Sequence, residues 1–423
     1  MRSILMRKPF YVLAVLALVA ACAGCQSGGG DGGGGTDGVT PDESFASVIP
    51  ALMSKWNIPG GSVALARRDQ IVMAHGYGLA DKAGNVPVTT SSLFRLASLS
   101  KPITSAAVLK LAEAGLLDLN ARVFDILTGI EPPLGTTVDP RLADITVLDL
   151  LRHSGGWDRT VSFDPMFRSR EIAAVFGTMP PADAASIIRY MKGQPLDHDP
   201  ATVYAYSNFG YCLLGRIIEK VTGQPYATYV TSTVLTPAGA AGMRLGRSLL
   251  EDRAEGEVVY YDYDGAPQAF SVFSTGSSLV PWPYGGFAIE PMDSHGGWLA
   301  SASDLLRVLL VVDGRTEKAD ILLPATVSAM VARPPLAEYA SSATYYALGW
   351  QVRPVGADAN WWHTGSLPGT STIMVRASNG LAWVALFNSR PANADAFFNE
   401  LDSELWRAVN AITEWPAAAA VGR

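Results

Sequence analysis

The stretch Phe94-Arg95-Leu96-Ala97-Ser98-Leu99-Ser100-Lys101-Pro102 places a serine and a lysine three residues apart, where an apolar-periodic segment begins. Residues at this spacing share one face of a helix, so Ser98 and Lys101 meet once the segment is helical. A serine hydroxyl needs a neighbouring base, and a lysine can act as one when burial or the positive potential of a helix start destabilises its ammonium. Pro102 fits the first turn of a helix. By itself this spacing is a weak signal for a catalytic pair, because a solvent-facing helix start has the same spacing and is the more common case.

The bulk composition is that of a large globular protein. Of 423 residues, 48% are hydrophobic and 17% are charged, which is enough apolar material for one large domain or two interlocked ones. The formal net charge is −7, and no run of lysine and arginine occurs. The composition therefore predicts no nucleic-acid partner.

The first 25 residues predict a targeting segment. Basic residues precede the uninterrupted apolar run Phe10–Ala21, which is too short to span a bilayer. The run continues into Val19–Cys25, which resembles a bacterial lipobox and offers Cys22 and Cys25 as lipid-bearing residues. This pattern favours export to the periplasm or cell envelope and anchoring to a membrane by lipid. The alternative is a plain secretory signal with incidental cysteines.

A glycine-rich segment, residues 26–42, separates this leader from the folded body. Eight of the residues from Ser27 to Gly38 are glycine, and such a composition predicts a flexible tether because it cannot build a core. After cleavage at either leader cysteine, the predicted body at 43–415 retains only Cys212. A single cysteine forms no internal disulfide, and its apolar surroundings are typical of a buried, inert thiol.

The two ends of the body carry strand and helix patterns. Glu43–Trp56 has helical spacing, with Pro50 as a site where the helix can kink, and Ser62–Ala66 and Gln70–Tyr77 resemble strands. Further strands and a last helix are predicted in the C-terminal part at Tyr346–Arg353, Thr370–Ala377, Leu381–Asn388 and Asn393–Ile412.

The middle of the chain has a different pattern. A helix is predicted over Lys101–Leu119, and residues from about 120 to 310 favour helices and long loops, with Ser303 as the N-cap of a helix from Asp304 onward. The predicted fold is α/β, with an antiparallel sheet formed by N- and C-terminal segments, flanking helices and an inserted, mainly helical subdomain. A cleft between the sheet and the insert is the expected place for a small-molecule site.

Two further motifs stand far from Ser98 in the sequence. Tyr206-Ser207-Asn208 precedes a predicted helix, and His363-Thr364-Gly365-Ser366 precedes a predicted strand. With Ser98-x-x-Lys101, these motifs resemble the signature elements of the penicillin-recognising serine hydrolases. That superfamily includes class C β-lactamases, D-alanyl-D-alanine carboxypeptidases and family VIII esterases. The resemblance covers about Glu43 to Ile412 and implies the β-lactamase/transpeptidase-like fold.

The resemblance implies an acyl-enzyme mechanism. Ser98 would attack the carbonyl group, and Lys101 and Tyr206 would share the proton transfers. Which of the two accepts the serine proton stays open, since a phenolate beside an ammonium is also a base. Read singly, Tyr206 could be a core aromatic residue with a satisfied hydroxyl.

The same resemblance assigns substrate contacts to the remaining motif residues. Asn208 would orient the lysine and hold a substrate amide, although an asparagine in this place could also be a helix cap. The backbone N–H groups of the nucleophile and of Ser366 would form the oxyanion hole, and Gly365 would allow close approach of the strand. His363 and Thr364 complete the expected substrate-binding strand.

His363 departs from the β-lactamase pattern, in which a lysine begins the third motif. Histidine is mostly neutral above about pH 6.5, so it lacks the fixed charge that holds a substrate carboxylate. The departure argues more against an efficient β-lactamase than against a hydrolase in general. His-Thr-Gly also occurs in some D,D-peptidases of the superfamily.

Other site types find little support in the sequence. No Gly-x-Ser-x-Gly elbow occurs and no two histidines have zinc-ligand spacing, so neither an α/β-hydrolase site nor a metal or other cofactor is expected. His153 is expected to hold its own loop. The expectation is a monomeric serine hydrolase acting on a peptidoglycan-derived D-alanyl peptide, a β-lactam or a small ester. The alternative from another class is a tethered binding protein without turnover.

Overall fold

The computed structural model describes residues 38–416. Within that range the helices are α1 (Pro41–Lys55), α2 (Ser100–Glu113), α3 (Val123–Ile126), α4 (Val147–Leu151), α5 (Ser169–Val175), α6 (Ala184–Lys192), α7 (Asn208–Thr222), α8 (Tyr226–Val230), α9 (Thr236–Ala238), α10 (Ala302–Leu309), α11 (Pro324–Met330) and α12 (Ala394–Ala411). The strands are β1 (Gly60–Arg67), β2 (Gln70–Asp81), β3 (Val86–Pro87), β4 (Phe94–Arg95), β5 (Arg244–Leu245), β6 (Tyr261–Asp262), β7 (Ala269–Phe270), β8 (Leu279–Val280), β9 (Trp298–Ala300), β10 (Tyr345–Tyr346), β11 (Gln351–Val355), β12 (Asp358–Leu367), β13 (Thr370–Arg376), β14 (Leu381–Phe387) and β15 (Ser389–Arg390).

The central sheet joins the two ends of the body. Its order is β10-β11-β12-β13-β14-β1-β2-β3, and β14 pairs antiparallel with β1, with Val63 opposite Ala385. The predicted sheet formed by N- and C-terminal segments is therefore confirmed. These strands are far apart in sequence but can pair, because the chain leaves the sheet after the N-terminal strands, forms the long insert and then returns to the sheet.

Helices cover both faces of this sheet. Side chains alternate along a strand, so in β14 Val384 packs in the core on the side of the insert, whereas Trp383 packs in the core beneath α1 and α12. All seven residues of β14 are buried. The architecture is thus mixed α/β, with a large antiparallel sheet between helical layers.

The insert returns to the nucleophile region through a small second sheet. Strand β4 pairs with β9, with Arg95 opposite Leu299, and the Leu96 N–H donates to the Trp298 carbonyl at 2.8 Å. This pairing brings the segment just before Trp298 next to the start of α2.

Several element boundaries differ from the sequence predictions. The N-cap of α10 is Ser301, whose hydroxyl accepts the Asp304 N–H at 3.1 Å, so the prediction of Ser303 was wrong. The single strand predicted over Tyr346–Arg353 is divided into β10 and β11, because Gly349 adopts a positive φ of 88° between them. Pro50 is accommodated inside α1.

The start of the body lies slightly earlier than predicted. Helix α1 begins at Pro41, after a capping box in which the Thr40 hydroxyl accepts the Glu43 N–H at 3.3 Å. The leader at 1–25, with Cys22 and Cys25, lies outside the described residues, as does most of the predicted tether at 26–42. Among the described helices, none is both long enough and apolar enough to cross a membrane. Cys212 is buried with a free thiol.

Candidate active site

Ser98 lies in a single 3-10 turn, Ala97–Leu99, that leads directly into α2. Ala97 before it has a φ of +50°, a left-handed conformation that costs a non-glycine residue about 1 kcal/mol. The turn holds Ser98 half-buried at the start of the helix while its neighbours Ala97 and Leu99 are fully buried. One hydroxyl is therefore presented from an otherwise enclosed backbone.

Lys101 is completely buried and lies next to Ser98. Its Nζ is 3.0 Å from Ser98 Oγ, 2.8 Å from Asn208 Oδ1 and 3.2 Å from the His295 carbonyl oxygen. Burial, and secondarily the positive charge of Arg159, lowers the pKa of Lys101 well below its usual value. The surroundings therefore favour the neutral amine.

Tyr206 reaches the same serine from the second motif. The Tyr206 hydroxyl lies near enough to Ser98 for the serine to lower its pKa, and its ring centroid lies 4.7 Å from Lys101 Nζ. Burial raises the pKa of Tyr206 above its usual value, because it disfavours the phenolate. The same physical cause thus disfavours charge on both partners of Ser98.

His153 positions the tyrosine loop. It adopts a φ of +59°, and its Nδ1 accepts the Ser207 N–H at 3.2 Å, while its carbonyl accepts the Ala205 N–H at 2.8 Å. Its ring centroid is 4.3 Å from that of Tyr206. His153 therefore fixes the backbone on both sides of Tyr206, a broader contact than the expected support of its own loop.

Asn208 has both ends of its amide engaged. Its Oδ1 accepts from Lys101, and its Nδ2 donates to Asp164 Oδ2 at 2.7 Å. The helix-cap role belongs to Ser207, whose hydroxyl accepts the Gly210 N–H at 3.1 Å. The asparagine side chain is therefore free to fix the lysine.

The ring of His363 lies beside the ring of Tyr206, with the two ring centroids 6.3 Å apart. Its Nδ1 is 2.7 Å from the Thr364 carbonyl oxygen and its Nε2 is 3.0 Å from the Tyr346 hydroxyl. Burial, assisted by Lys101, lowers the pKa of His363 to about 3. The ring is neutral, with Nδ1–H donating to the carbonyl and Nε2 accepting from Tyr346.

The rest of the third motif follows along β12. The ladder between β11 and β12 ends at the Gln351–Trp362 pair, so within residues 38–416 the segment after Trp362 has no strand partner on that edge. Thr364 is half-buried opposite Ile373, and Ser366 is exposed near the strand end.

Gly365 allows this strand to contact the nucleophile turn. A Cβ at this position would lie 2.2 Å from Thr372 Oγ1 and 2.4 Å from the Leu96 carbonyl oxygen, closer than side chains pack. Thr372 Oγ1 donates to that same carbonyl at 2.9 Å. The strand and the turn that carries Ser98 are therefore in direct contact.

The structure brings Ser98, Lys101, Tyr206 and Asn208 into direct contact, with the third motif beside them. The sequence analysis missed four groups: Asp164, Arg159, Tyr346 and the His295 carbonyl. Asp164 and Arg159 belong to a loop with no recognisable motif. The glycines that follow His295 were the available signal for its carbonyl. In the described part of the chain, no group of three or more His, Cys, Asp or Glu side chains is arranged to hold a metal ion.

Fold and site together define a protein of the β-lactamase/transpeptidase-like class. The family model described as Beta-lactamase matches residues 45–402, and the chain belongs to this family.

Solved structures of other proteins show the same fold. A D-amino acid amidase from Ochrobactrum anthropi SV3, complexed with D-phenylalanine, is 22% identical with a TM-score of 0.67, covering 88% of this chain and 98% of that one. A D-alanine carboxypeptidase AmpC from Burkholderia cenocepacia is 19% identical with a TM-score of 0.65, covering 88% and 99%. At these identities the likeness shows the fold.

Curated relatives match over shorter stretches. A protein of Dichelobacter nodosus named as a fimbrial assembly protein, FimD of serogroup D, is 30% identical over 53% of this chain and 50% of its own length. Protein flp of Staphylococcus aureus (strain COL) is 28% identical over 45% of this chain and 36% of its own length. The matched part of the chain spans half or less of the length of these relatives.

Proposed function

We propose that this protein is a serine hydrolase that forms an acyl-enzyme at Ser98 on an amide or ester substrate. The observation that carries the proposal is the 3.0 Å separation between Ser98 Oγ and the Nζ of the fully buried Lys101. A nucleophile and a base within hydrogen-bond reach, with the base held by a third group, is the arrangement that nucleophilic catalysis requires.

The hydrogen bonds of Lys101 support its role as the proton acceptor. A neutral amine has two N–H groups and one lone pair. If the two N–H groups donate to Asn208 Oδ1 and to the His295 carbonyl, the lone pair is left for the Ser98 hydroxyl. Tyr206 is held as a neutral phenol, which suits it to carry a proton to the leaving group.

In the first step the Ser98 Oγ bonds to the substrate carbonyl carbon, and the hydroxyl proton passes to Lys101 Nζ. The tetrahedral oxyanion would be stabilised by the backbone N–H groups of Ser98 and Ser366. The bond to the leaving oxygen or nitrogen then breaks, and that atom receives a proton through Tyr206 or Lys101. Water repeats the sequence to release the acid and restore Ser98.

The substrate class that follows from the family is a D-alanyl peptide or a β-lactam. A small carboxylic ester is the second candidate, and the neutral state of His363 favours it, because the third motif then offers no charge to a substrate carboxylate. We further propose export to the cell envelope, with lipid anchoring through Cys22 or Cys25.

A turnover panel tests the proposal. It contains a chromogenic cephalosporin, a short-chain nitrophenyl ester and a peptide ending in D-Ala-D-Ala, each assayed with the native protein, Ser98→Ala and Ser91→Ala. Ser91 is an exposed serine that supplies the matched control. We expect at least one substrate to be hydrolysed, a loss of about 10³-fold or more in Ser98→Ala, and native rates in Ser91→Ala.

Hydrolysis of none of the three by folded native protein would contradict the proposal and favour a binding protein with this fold. Equal rates in the native protein and Ser98→Ala would contradict the assignment of the nucleophile.

A further inference from the structure

Arg159 lies at the mouth of the candidate site. Arg159 is exposed, and its guanidinium carbon is 4.9 Å from the ring centroid of Tyr206. Among residues 38–416, the guanidinium makes no hydrogen bond or ion pair, so its N–H donors are unpaired. An exposed cation beside the ring that contacts the nucleophile is available to a substrate.

The acidic residues of the same loop make no ion pair with this guanidinium. Asp158 accepts from the ring Nε2 of His198 at 3.0 Å and from the Thr160 hydroxyl at 2.6 Å. Asp164 accepts from Asn208 Nδ2 at 2.7 Å and, with its other oxygen, from the Met166 N–H at 3.1 Å. Both carboxylates are therefore engaged elsewhere.

The other basic groups of the site are not available to an anion. Lys101 is fully buried, and its amine is engaged by Ser98 Oγ, Asn208 Oδ1 and the His295 carbonyl oxygen. His363 is also buried, with both ring nitrogens engaged by Thr364 and Tyr346. Arg159 is thus the exposed positive group beside the reacting residues described above.

We propose that Arg159 is a specificity-determining residue that binds an anionic group, such as a carboxylate, of the substrate. The inference rests on the proposed function and adds a preference for anionic over neutral acyl compounds. A guanidinium suits this role because its planar fork can donate two parallel hydrogen bonds to one carboxylate. The charge comes from the loop that carries Asp158 and Asp164, on the Tyr206 side of the nucleophile, and not from the third motif.

Two matched pairs of esters test the proposal on both sides of the scissile bond. The acyl-side pair is 4-nitrophenyl hydrogen adipate and its methyl ester, and the leaving-group pair is 3-carboxyphenyl acetate and its methyl ester. For each pair, the ratio of kcat/KM for the anion to that for the methyl ester is measured in the native protein, Arg159→Gln and Arg168→Gln. Arg168 is an exposed arginine of the same loop that lies over Phe163, and it supplies the control.

We expect Arg159→Gln to lower the ratio by about tenfold in at least one pair, the size of one charge-assisted contact. Arg168→Gln should keep it within about twofold, since a distant surface charge has little effect. Added salt should lower the native ratio, because exposed charges are screened.

A ratio in Arg159→Gln that stays within about twofold of the native ratio in both pairs would overturn the proposal. If kcat/KM for the anion and for the methyl ester fell by the same factor, Arg159 would instead be a support for Tyr206. Failure of the folded native protein to hydrolyse any of the four esters or any substrate of the turnover panel would remove the proposed function and the role of Arg159 with it. Turnover of the panel but of none of the four esters would remove the Arg159 proposal alone, because the proposal predicts that an anionic ester is a substrate. Turnover with an unchanged ratio would remove the Arg159 proposal alone.

Discussion

Lys101 and Tyr206 illustrate how one physical effect prepares two different residues. Burial disfavours charge on either side chain, so it lowers the pKa of the lysine and raises that of the tyrosine. The lysine becomes a base with an available lone pair, and the tyrosine becomes a proton donor. The question of which residue accepts the serine proton is therefore answered, within the proposed mechanism, in favour of Lys101.

The pH dependence of kcat/KM follows from this assignment. Acylation needs the neutral amine, and protonation of Lys101 removes it, so kcat/KM for a nitrophenyl ester should fall about tenfold per pH unit below the lowered pKa of Lys101. The titration of Lys101 should therefore appear as a single fall in kcat/KM on the acid side of the pH profile. His363, with a pKa of about 3, adds no limb near pH 6.5.

The variant His363→Gln distinguishes the two groups, with the profile recorded by stopped-flow or steady-state assays across pH 4–9. Its rate should be lower, because the contact with Tyr346 is weakened, but the position of the acid limb should be close to that of the native protein. Disappearance of the limb in His363→Gln would assign it to the histidine and contradict the neutral state of the ring.

The site residues that could be predicted from the sequence are those that lie in motifs. The contact among Ser98, Lys101, Tyr206 and Asn208 could be predicted, because their three motifs together resemble the signature elements of a known superfamily. Asp164 could not be predicted, since its contact with Asn208 depends on the path of a loop, which local sequence does not determine. The catalytic roles of all these residues stay predictions.

At the scale of elements, the site depends on contact between β12 and the 3-10 turn before α2. Thr372, on the neighbouring strand β13, donates to the Leu96 carbonyl, and Gly365 leaves room for that bond. The sheet thereby holds the backbone that carries the nucleophile, and a displacement of β12 would move Ser98 and the third motif apart.

The substitution Gly365→Ala tests this contact. The added Cβ would lie 2.2 Å from Thr372 Oγ1 and 2.4 Å from the Leu96 carbonyl, so the strand must shift. We expect the free energy of unfolding to fall by about 1–3 kcal/mol and kcat/KM to fall by about tenfold or more. Denaturant unfolding and ester turnover measure the two effects.

Gly276→Ala is the matched control. Gly276 is exposed, and a Cβ there would approach only the Ser274 hydroxyl, at 3.3 Å. Native stability and turnover in Gly365→Ala, or equal losses in the two variants, would contradict the proposed role of the contact.

Element prediction succeeded where periodicity was strong. The C-terminal helix and the strand at Leu381–Phe387 have regular apolar patterns and were predicted to within one or two residues. The N-cap of α10 was wrong because Ser301 and Ser303 are equivalent as residue types, and only the backbone conformation decides between them. The prediction of a single strand over Tyr346–Arg353 was wrong because Gly349 turns the chain.

At the scale of the molecule, the residues of the candidate site come from three segments that lie far apart in the sequence. Ser98 and Lys101 lie at the start of α2, Tyr206 comes from the insert, and His363 comes from a C-terminal strand. The pairing of β4 with β9 returns the insert to the nucleophile. The fold could be predicted from the strand and helix patterns at the two ends of the body, whereas the packing of the insert loops could not.

The same fold is found in an amidase and a carboxypeptidase, so the fold by itself does not determine the substrate. This chain has a neutral His363 within the third motif and an exposed Arg159, both beside Tyr206. We expect these two residues to influence its substrate preference.

The central claim is that the Ser98 hydroxyl becomes acylated or otherwise covalently modified through activation by Lys101. The most direct measurement is intact-protein mass after incubation with a fluorophosphonate or a fluorescent penicillin, followed by peptide mapping of the adduct. We predict one adduct per chain, on Ser98 and absent from Ser98→Ala, with labelling slowed by about 10²-fold or more in Lys101→Ala. An adduct on another residue, or no adduct on folded native protein with either reagent, would contradict the account.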